Sequence, residues 1–291
     1  MRHDPSFDRR TFVTTALAAG FALAVRPVSA DTRHTSDEGL VAGDVKIPSG
    51  GGEIPAYRAM PVTVINGAGG GRGDAGAGGF PVVIVVHEIF GVHEHIKDVC
   101  RRLAKLGYLA IAPELFARQG NAAALGSIDE IIKSIVSRVP DAQVMADLDA
   151  TVAWAGKNRG IARRVAITGF CWGGRMVWLY AAHNPALTAG VAWYGKLVGP
   201  TSATQPAHPI DLAASLKAPV LGLYGGADTG ISQETIEEMR AAIKAAKGKS
   251  EIVVYPDAPH AFFADYRPSF RADAADDGWN RMKVWLKAKG V

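Results

Sequence analysis

The stretch Val165-Ala166-Ile167-Thr168-Gly169-Phe170-Cys171-Trp172-Gly173-Gly174 constrains the fold of this 291-residue chain more than any other. It begins as a short apolar run with β-branched residues, the pattern of a buried strand. Gly169, Cys171, Gly173 and Gly174 follow, and Arg175 to His183 reads as a helix. Strand, sharp turn and helix form the setting of a nucleophile elbow, in which G-x-S-x-G holds a serine on a strained turn. Cys171 stands at the serine position. Such a turn brings backbones too close for a Cβ, which accounts for the glycines. It also puts the sulfur at a helix N-terminus, where backbone N–H groups and the dipole favour a thiolate. The other reading is a buried structural cysteine beside a tight turn, since free cysteine is among the most buried residue types.

The rest of the chain supplies the units that such an elbow needs. Val45 to Met60 reads as one or two strands broken at Pro48 to Gly52. Pro81 to Val86 is a continuous apolar run, expected of a central parallel strand covered on both faces. Further strands are expected at Tyr108 to Ala112, Ala189 to Trp193, Pro219 to Tyr224 and Glu251 to Tyr255. Helices are expected at His95 to Leu106, Ile128 to Arg138, Asp141 to Asn158, Gln233 to Lys247 and Arg271 to Lys289. Strands alternating with helices predict an α/β fold with a mostly parallel sheet and helices on both faces. No internal repeat or second domain boundary interrupts this pattern. Ligands in such sheets bind at the carboxyl ends of strands. Four of those ends carry Glu88, Cys171, Asp228 and His260. Nucleophile, acid and histidine in that chain order suit a hydrolase triad, with the imidazole as base and Asp228 fixing its tautomer. Read singly, Asp228 is also a turn residue after Gly225-Gly226, and His260 a loop residue after Pro259. An oxyanion hole would draw on the backbone N–H of Trp172 and one near Ile89.

The first thirty residues have the layout of an export signal. Arg9-Arg10 is a twin-arginine pair, Ala16 to Val25 is apolar, and Val28-Ser29-Ala30 is a small-residue cleavage site. The apolar part is too short to span a bilayer, although an uncleaved anchor is the other reading. Residues 31–291 are expected to form one domain in a bacterial-type periplasm, with no membrane attachment after cleavage. The net charge of +4 contains no basic run, which argues against nucleic acid as a partner. Two cysteines in an oxidising compartment invite a disulfide, but Cys100 falls in a predicted helix and Cys171 in the elbow. Asn66 to Gly79 is glycine-dominated, lacks the Gly-Lys-Ser/Thr ending of a phosphate-binding loop, and reads as a surface loop. His87, Glu88, His93, Glu94 and His95 crowd together, yet His87 and His93 are not one helical turn apart, so a zinc helix is not expected. Gly169 to Gly174 lacks the middle glycine of a dinucleotide fingerprint. A non-catalytic binding protein remains open.

Five motifs together resemble the dienelactone hydrolase (carboxymethylenebutenolidase) family of the α/β-hydrolase fold. They are His87-Glu88-Ile89-Phe90-Gly91-Val92, Ala112-Pro113-Glu114-Leu115-Phe116-Ala117-Arg118, Gly169 to Gly174, Gly225-Gly226-Ala227-Asp228, and Ala258-Pro259-His260-Ala261-Phe262. The resemblance covers about residues 40 to 291. It implies a small lactone or ester as substrate, a Cys-His-Asp acyl-enzyme mechanism and no metal or cofactor. It also implies that Glu88 contacts Cys171 and takes the thiol proton when substrate binds. The family's dienelactone-specific members carry a serine directly after the histidine and an arginine four residues after it. Ala261 and Ala264 occupy those positions, which leaves Arg267 as the nearest candidate for binding a substrate carboxylate. The family's second substrate arginine falls in the region Gly120 to Arg138 without a clear match. Tyr194 matches a pocket tyrosine. A broader carboxylesterase on the same plan is the alternative.

Overall fold

A computed structural model describes residues 33–62 and 79–291. The export signal and residues 66–78 of the glycine-rich run lie outside the described residues. One sheet of eight strands organises the chain: β1 (Leu40–Ser49), β2 (Gly52–Pro61), β3 (Phe80–Val86), β4 (Leu109–Pro113), β5 (Gly160–Phe170), β6 (Ala189–Trp193), β7 (Val220–Gly225) and β8 (Glu251–Tyr255). The lateral order is β1-β2-β4-β3-β5-β6-β7-β8. β1 and β2 pair as an antiparallel hairpin and β2 runs antiparallel to β4, while β4 to β8 are all parallel. Val45 to Met60 thus falls in two strands, turned at Gly50 and Gly51.

The helices are α1 (Glu94–Lys105), α2 (Ile128–Ser134), α3 (Asp141–Lys157), α4 (Trp172–His183), α5 (Gln233–Ala245) and α6 (Ala272–Ala288). Ile128 to Arg138 is not one helix, because α2 stops at Ser134 and a separate 3-10 turn covers Val136–Arg138. Successive side chains of β3 feed two cores. Val82, Ile84 and Val86 join Val144 and Leu148 of α3 and Met176 of α4. Val83 and Val85 join Ile96, Val99 and Leu103 of α1 and Met282 and Trp285 of α6. Every residue of β4, β6 and β7 is buried, as strands covered on both faces must be. β8 closes the edge with its side chains only half covered.

The chain winds from β3 to β4 on one side of the sheet and from β5 onward on the other. The reversal opens a crevice at the carboxyl ends of β3 and β5. Among the described residues no helix is long and apolar enough to cross a membrane.

Candidate active site

β5 ends at Phe170 and α4 begins at Trp172, leaving Cys171 alone at the corner with φ 54° and ψ −113°. A non-glycine residue there costs on the order of 1–3 kcal/mol, so the surroundings must impose it. The Cys171 N–H donates to the Trp193 carbonyl at 3.0 Å, and the Arg175 N–H donates to the Cys171 carbonyl at 3.2 Å. Close packing does the rest. A Cβ on Gly169 would sit 2.4 Å from the Gly173 carbonyl oxygen, and one on Gly173 would sit 2.4 Å from that of Val86. Both cysteines are free, Cys100 buried in α1 and Cys171 partly exposed.

The turns after β7 and β8 bring Asp228 and His260 to the elbow. His260 Nδ1 lies 2.7 Å from Asp228 Oδ2, and the Gly230 N–H donates to Asp228 Oδ1 at 2.8 Å, which fixes the carboxylate. The Cys171 sulfur is within hydrogen-bonding reach of the imidazole. Burial pushes the His260 pKa down, but the charge of the Cys171 sulfur and the hydrogen bond to Asp228 outweigh it and raise it to about 10.

Glu88 does not make the contact with Cys171 that the family resemblance implied. Its Oε2 accepts the hydroxyl of Tyr266 and lies 3.8 Å from His93 Nε2, and its Oε1 takes no hydrogen bond among the described residues. Burial alone would raise the Glu88 pKa. The Arg267 guanidinium, followed by His93 and His95, instead holds it well below the usual carboxylate range. Arg267 is itself buried, with its guanidinium carbon 4.7 Å from the Phe90 ring centre and 5.2 Å from that of Tyr266. It is not on the wall of the cavity that reaches Cys171. The segment after His260 therefore sets Arg267 beside Glu88 and the aromatic rings, within electrostatic range of Cys171.

That cavity holds about 330 Å³, at the small end of ligand pockets. Ile89, Ile132, Val136, Trp172 and Ile231 line it together with Cys171 and His260. The N–H groups of Ile89 and Trp172 donate to no other protein group among the described residues. Tyr194 also lines it. Its buried hydroxyl has no hydrogen-bond partner among the described residues, and burial, then the charge of Glu88, push the phenol well above its usual range, so it stays a donor. Besides His260, Arg175 and Lys196 line the cavity, and among the described residues no carboxylate does. Arg175 is neutralised by Asp141, which accepts from both terminal nitrogens at 2.7 and 2.8 Å. Lys196 is exposed and has no such partner among the described residues.

Sequence reasoning singled out neither Lys196 nor the Arg175–Asp141 pair. Lys196 stands two residues after Tyr194, which was the available signal. The histidines between 87 and 95 do not form a metal site, since no group of three or more metal-binding side chains occurs among the described residues.

A sheet in this order, with a nucleophile elbow after β5 at the mouth of the crevice, defines an α/β hydrolase. The dienelactone hydrolase family profile matches residues 73–290. A protein of Methylorubrum extorquens, provisionally named carboxymethylenebutenolidase, is 59% identical over 288 residues, covering 98% of this chain and 94% of that protein. A similarly named protein of Escherichia coli K12 is 53% identical over 278 residues, covering 96% and 98% of the two chains. Among solved structures, a provisionally assigned dienelactone hydrolase from Klebsiella pneumoniae matches with a TM-score of 0.80 and 56% identity, covering 85% of this chain and 98% of that one. The chain belongs to the dienelactone hydrolase family and is an ester-hydrolysing enzyme.

Proposed function

We infer that the protein hydrolyses small lactones or esters with a stabilised leaving group, through a covalent acyl-enzyme on Cys171. The observation that carries this reading is Cys171 and His260 on one cavity wall with Ile89 and Trp172, the imidazole held from behind by Asp228. The Cys171 thiolate attacks the carbonyl carbon, and the carbonyl π electrons move to an oxyanion facing the two N–H groups. Collapse expels the alkoxide or enolate, which takes the His260 proton. Water then attacks the thioester with His260 as base, releasing the acid and restoring the pair. A thiolate leaves a tetrahedral adduct more readily than an ordinary alkoxide does. Enol lactones, aryl esters and thioesters, whose leaving groups compete with the thiolate, are therefore favoured over simple alkyl esters.

The small apolar cavity with Lys196 exposed on its wall suits a compact acyl or alcohol group bearing a negative charge. With Arg267 turned toward Glu88, Lys196 takes the anchoring role that the sequence gave to Arg267. Arg9-Arg10 and the apolar stretch after them support export by the twin-arginine route, which replacement of both arginines by lysine would block. The central test is turnover of a panel of enol lactones, p-nitrophenyl esters and thioesters by wild type and Cys171→Ala. A loss of roughly 10³-fold or more in kcat is expected for the variant. Retention of most of the activity rejects the mechanism.

A further inference from the structure

His87 follows the last residue of β3, is fully buried, and is absent from the cavity wall. The proposed chemistry gives it no role, yet both of its ring nitrogens are committed. Nε2 accepts the Leu115 N–H at 3.1 Å. A backbone N–H can only donate, so Nε2 carries no proton and the ring proton is on Nδ1. Nδ1 lies 2.6 Å from the Glu88 carbonyl oxygen and therefore donates to it. Glu114 Oε1 is 3.4 Å from Nε2, but the Glu114 carboxylate accepts the N–H groups of Val92 and Phe116 instead. The ring is held sideways as well. It stacks on Trp172 with centroids 5.5 Å apart and planes 17° apart, and meets Phe116 edge-on at 4.7 Å.

The bond to the Glu88 carbonyl matters because of which peptide unit that carbonyl belongs to. The same planar unit contains the Ile89 N–H, and in a trans peptide C=O and N–H point in opposite directions. A ring that fixes the carbonyl thereby fixes the direction of the N–H of Ile89, a residue of the cavity wall whose N–H donates to no protein group among the described residues. The residue on which the ring stacks, Trp172, supplies the other uncommitted N–H at the elbow.

We propose that His87 is a positioning residue that aims the Ile89 N–H at the developing oxyanion by holding the Glu88 carbonyl and bracing Trp172. The assignment rests on the acyl-enzyme reading given above, in which that N–H faces the oxyanion. A merely structural buried histidine would have the same burial, so the test separates transition-state stabilisation from folding and from nucleophile reactivity. Three measurements are made on wild type, His87→Asn and His87→Leu: kcat and KM for a p-nitrophenyl ester, the inhibition constant of a trifluoromethyl ketone, and the rate of Cys171 alkylation by iodoacetamide. The ketone accepts the thiolate at its carbonyl carbon and forms an oxyanion that needs the hole. Alkylation displaces iodide at a saturated carbon and forms none.

Asn and Leu have nearly the same shape, but only Asn presents an N–H where Nδ1 sits. His87→Asn should keep kcat within about threefold. His87→Leu should lose on the order of 10²-fold in kcat with little change in KM, as expected when one oxyanion donor is misdirected. The ketone should weaken by a similar factor and alkylation should hold its wild-type rate. Equal kcat for the two variants, or a parallel fall in ketone affinity and alkylation, overturns the proposal. If His87→Leu does not fold, His87→Gln takes its place, since its longer amide reaches the Nε2 position and not the Glu88 carbonyl. Wild-type activity that survives complete alkylation of Cys171 instead refutes the acyl-enzyme reading itself.

Discussion

Replacing Arg267 by Met tests what the buried guanidinium does. Glu88 is 1% exposed and Arg267 7%, so neither charge is screened by solvent to a useful degree. Tyr266 occupies one Glu88 oxygen and the other takes no hydrogen bond among the described residues. The two charges therefore act on each other from beyond hydrogen-bonding distance. At the effective dielectric of about 20 that suits protein sites, two unit charges 4 Å apart attract by about 4 kcal/mol, which bounds the pair from above. Arg267→Met should cost about 2–4 kcal/mol at pH 7, because it leaves a buried carboxylate short of its main counter-charge. Glu88→Gln should cost a comparable amount for the opposite reason. The double variant should recover at least about 1.5 kcal/mol relative to the sum of the two.

Urea melts followed by tryptophan fluorescence and far-UV circular dichroism measure all four proteins. The pH dependence has a definite sign. Glu88 has a folded pKa below its unfolded value, so its contribution is present above the ordinary carboxylate pKa of about 4.3 and is lost as pH falls toward the folded value. The gap between wild type and Arg267→Met should thus be widest near neutrality and narrow progressively as pH falls through and below the ordinary carboxylate range. In kinetics, Arg267→Met should affect acidic and neutral substrates alike. A loss under about 1 kcal/mol, or strictly additive single costs, refutes the electrostatic coupling. A rise in KM confined to carboxylate-bearing substrates would return Arg267 to the role of anchor.

Three other outcomes follow from the same geometry. Tyr194→Phe removes a buried, unpartnered hydroxyl and should stabilise the fold by about 1–3 kcal/mol, raising Tm by about 2–4 °C per kcal/mol, while lowering kcat/KM about tenfold. Calorimetry and kinetics moving down together would show that the hydroxyl serves the fold. Lys196→Met should raise KM about fivefold for anionic esters and leave neutral ones unchanged, with the wild-type advantage shrinking as salt is added; a salt-independent effect would point to packing. Cys171→Ala removes the thiolate charge that contributes most to raising His260, so an NMR titration should find the imidazole titrating well below the wild-type value of about 10. Wild type should also lose, as pH rises through about 10, stability that Cys171→Ala never had; an unchanged His260 titration would count against the ion pair.

The fold and the elbow were legible because each rests on local pattern. A continuous apolar run marked β3 as a central strand and shorter ones marked β4, β6 and β7 as strands, and the glycines around Cys171 are dictated by contacts within a few residues of the turn or with the adjacent strand. The three strand ends bearing Cys171, Asp228 and His260 could be ordered because a parallel sheet presents all its carboxyl ends on one side. The environment of Glu88 was not legible in the same way. Tyr266 and Arg267 come from the segment after β8 and His93 from the entry to α1, and no periodicity says that these three converge on the end of β3. Spacing from His260 suggested Arg267 as a substrate cation, since it was the nearest arginine to the vacated position at Ala264. Three-dimensional packing sets it beside Glu88 and two aromatic rings, which spacing does not reveal.

The crowd of histidines after β3 shows how little residue type alone says there. In sequence, His87, His93 and His95 are weighed as metal ligands and set aside, and His87 otherwise enters only as part of a family motif. In the fold they divide by the direction their neighbours impose. His95 pairs with Asp265 at 2.8 Å on the buried face of α1, and His93 stands beside Glu88. Only His87 is turned to the backbone, where its hydrogen bond reaches the peptide unit joining Glu88 to Ile89, a residue of the cavity wall. A histidine that holds a carbonyl on one side of a peptide plane acts on the N–H on the other. That influence is invisible to any search for side chains that touch substrate. Positions of this kind are found by asking which peptide planes carry the uncommitted donors of a site, and then which side chain grips the carbonyl of each.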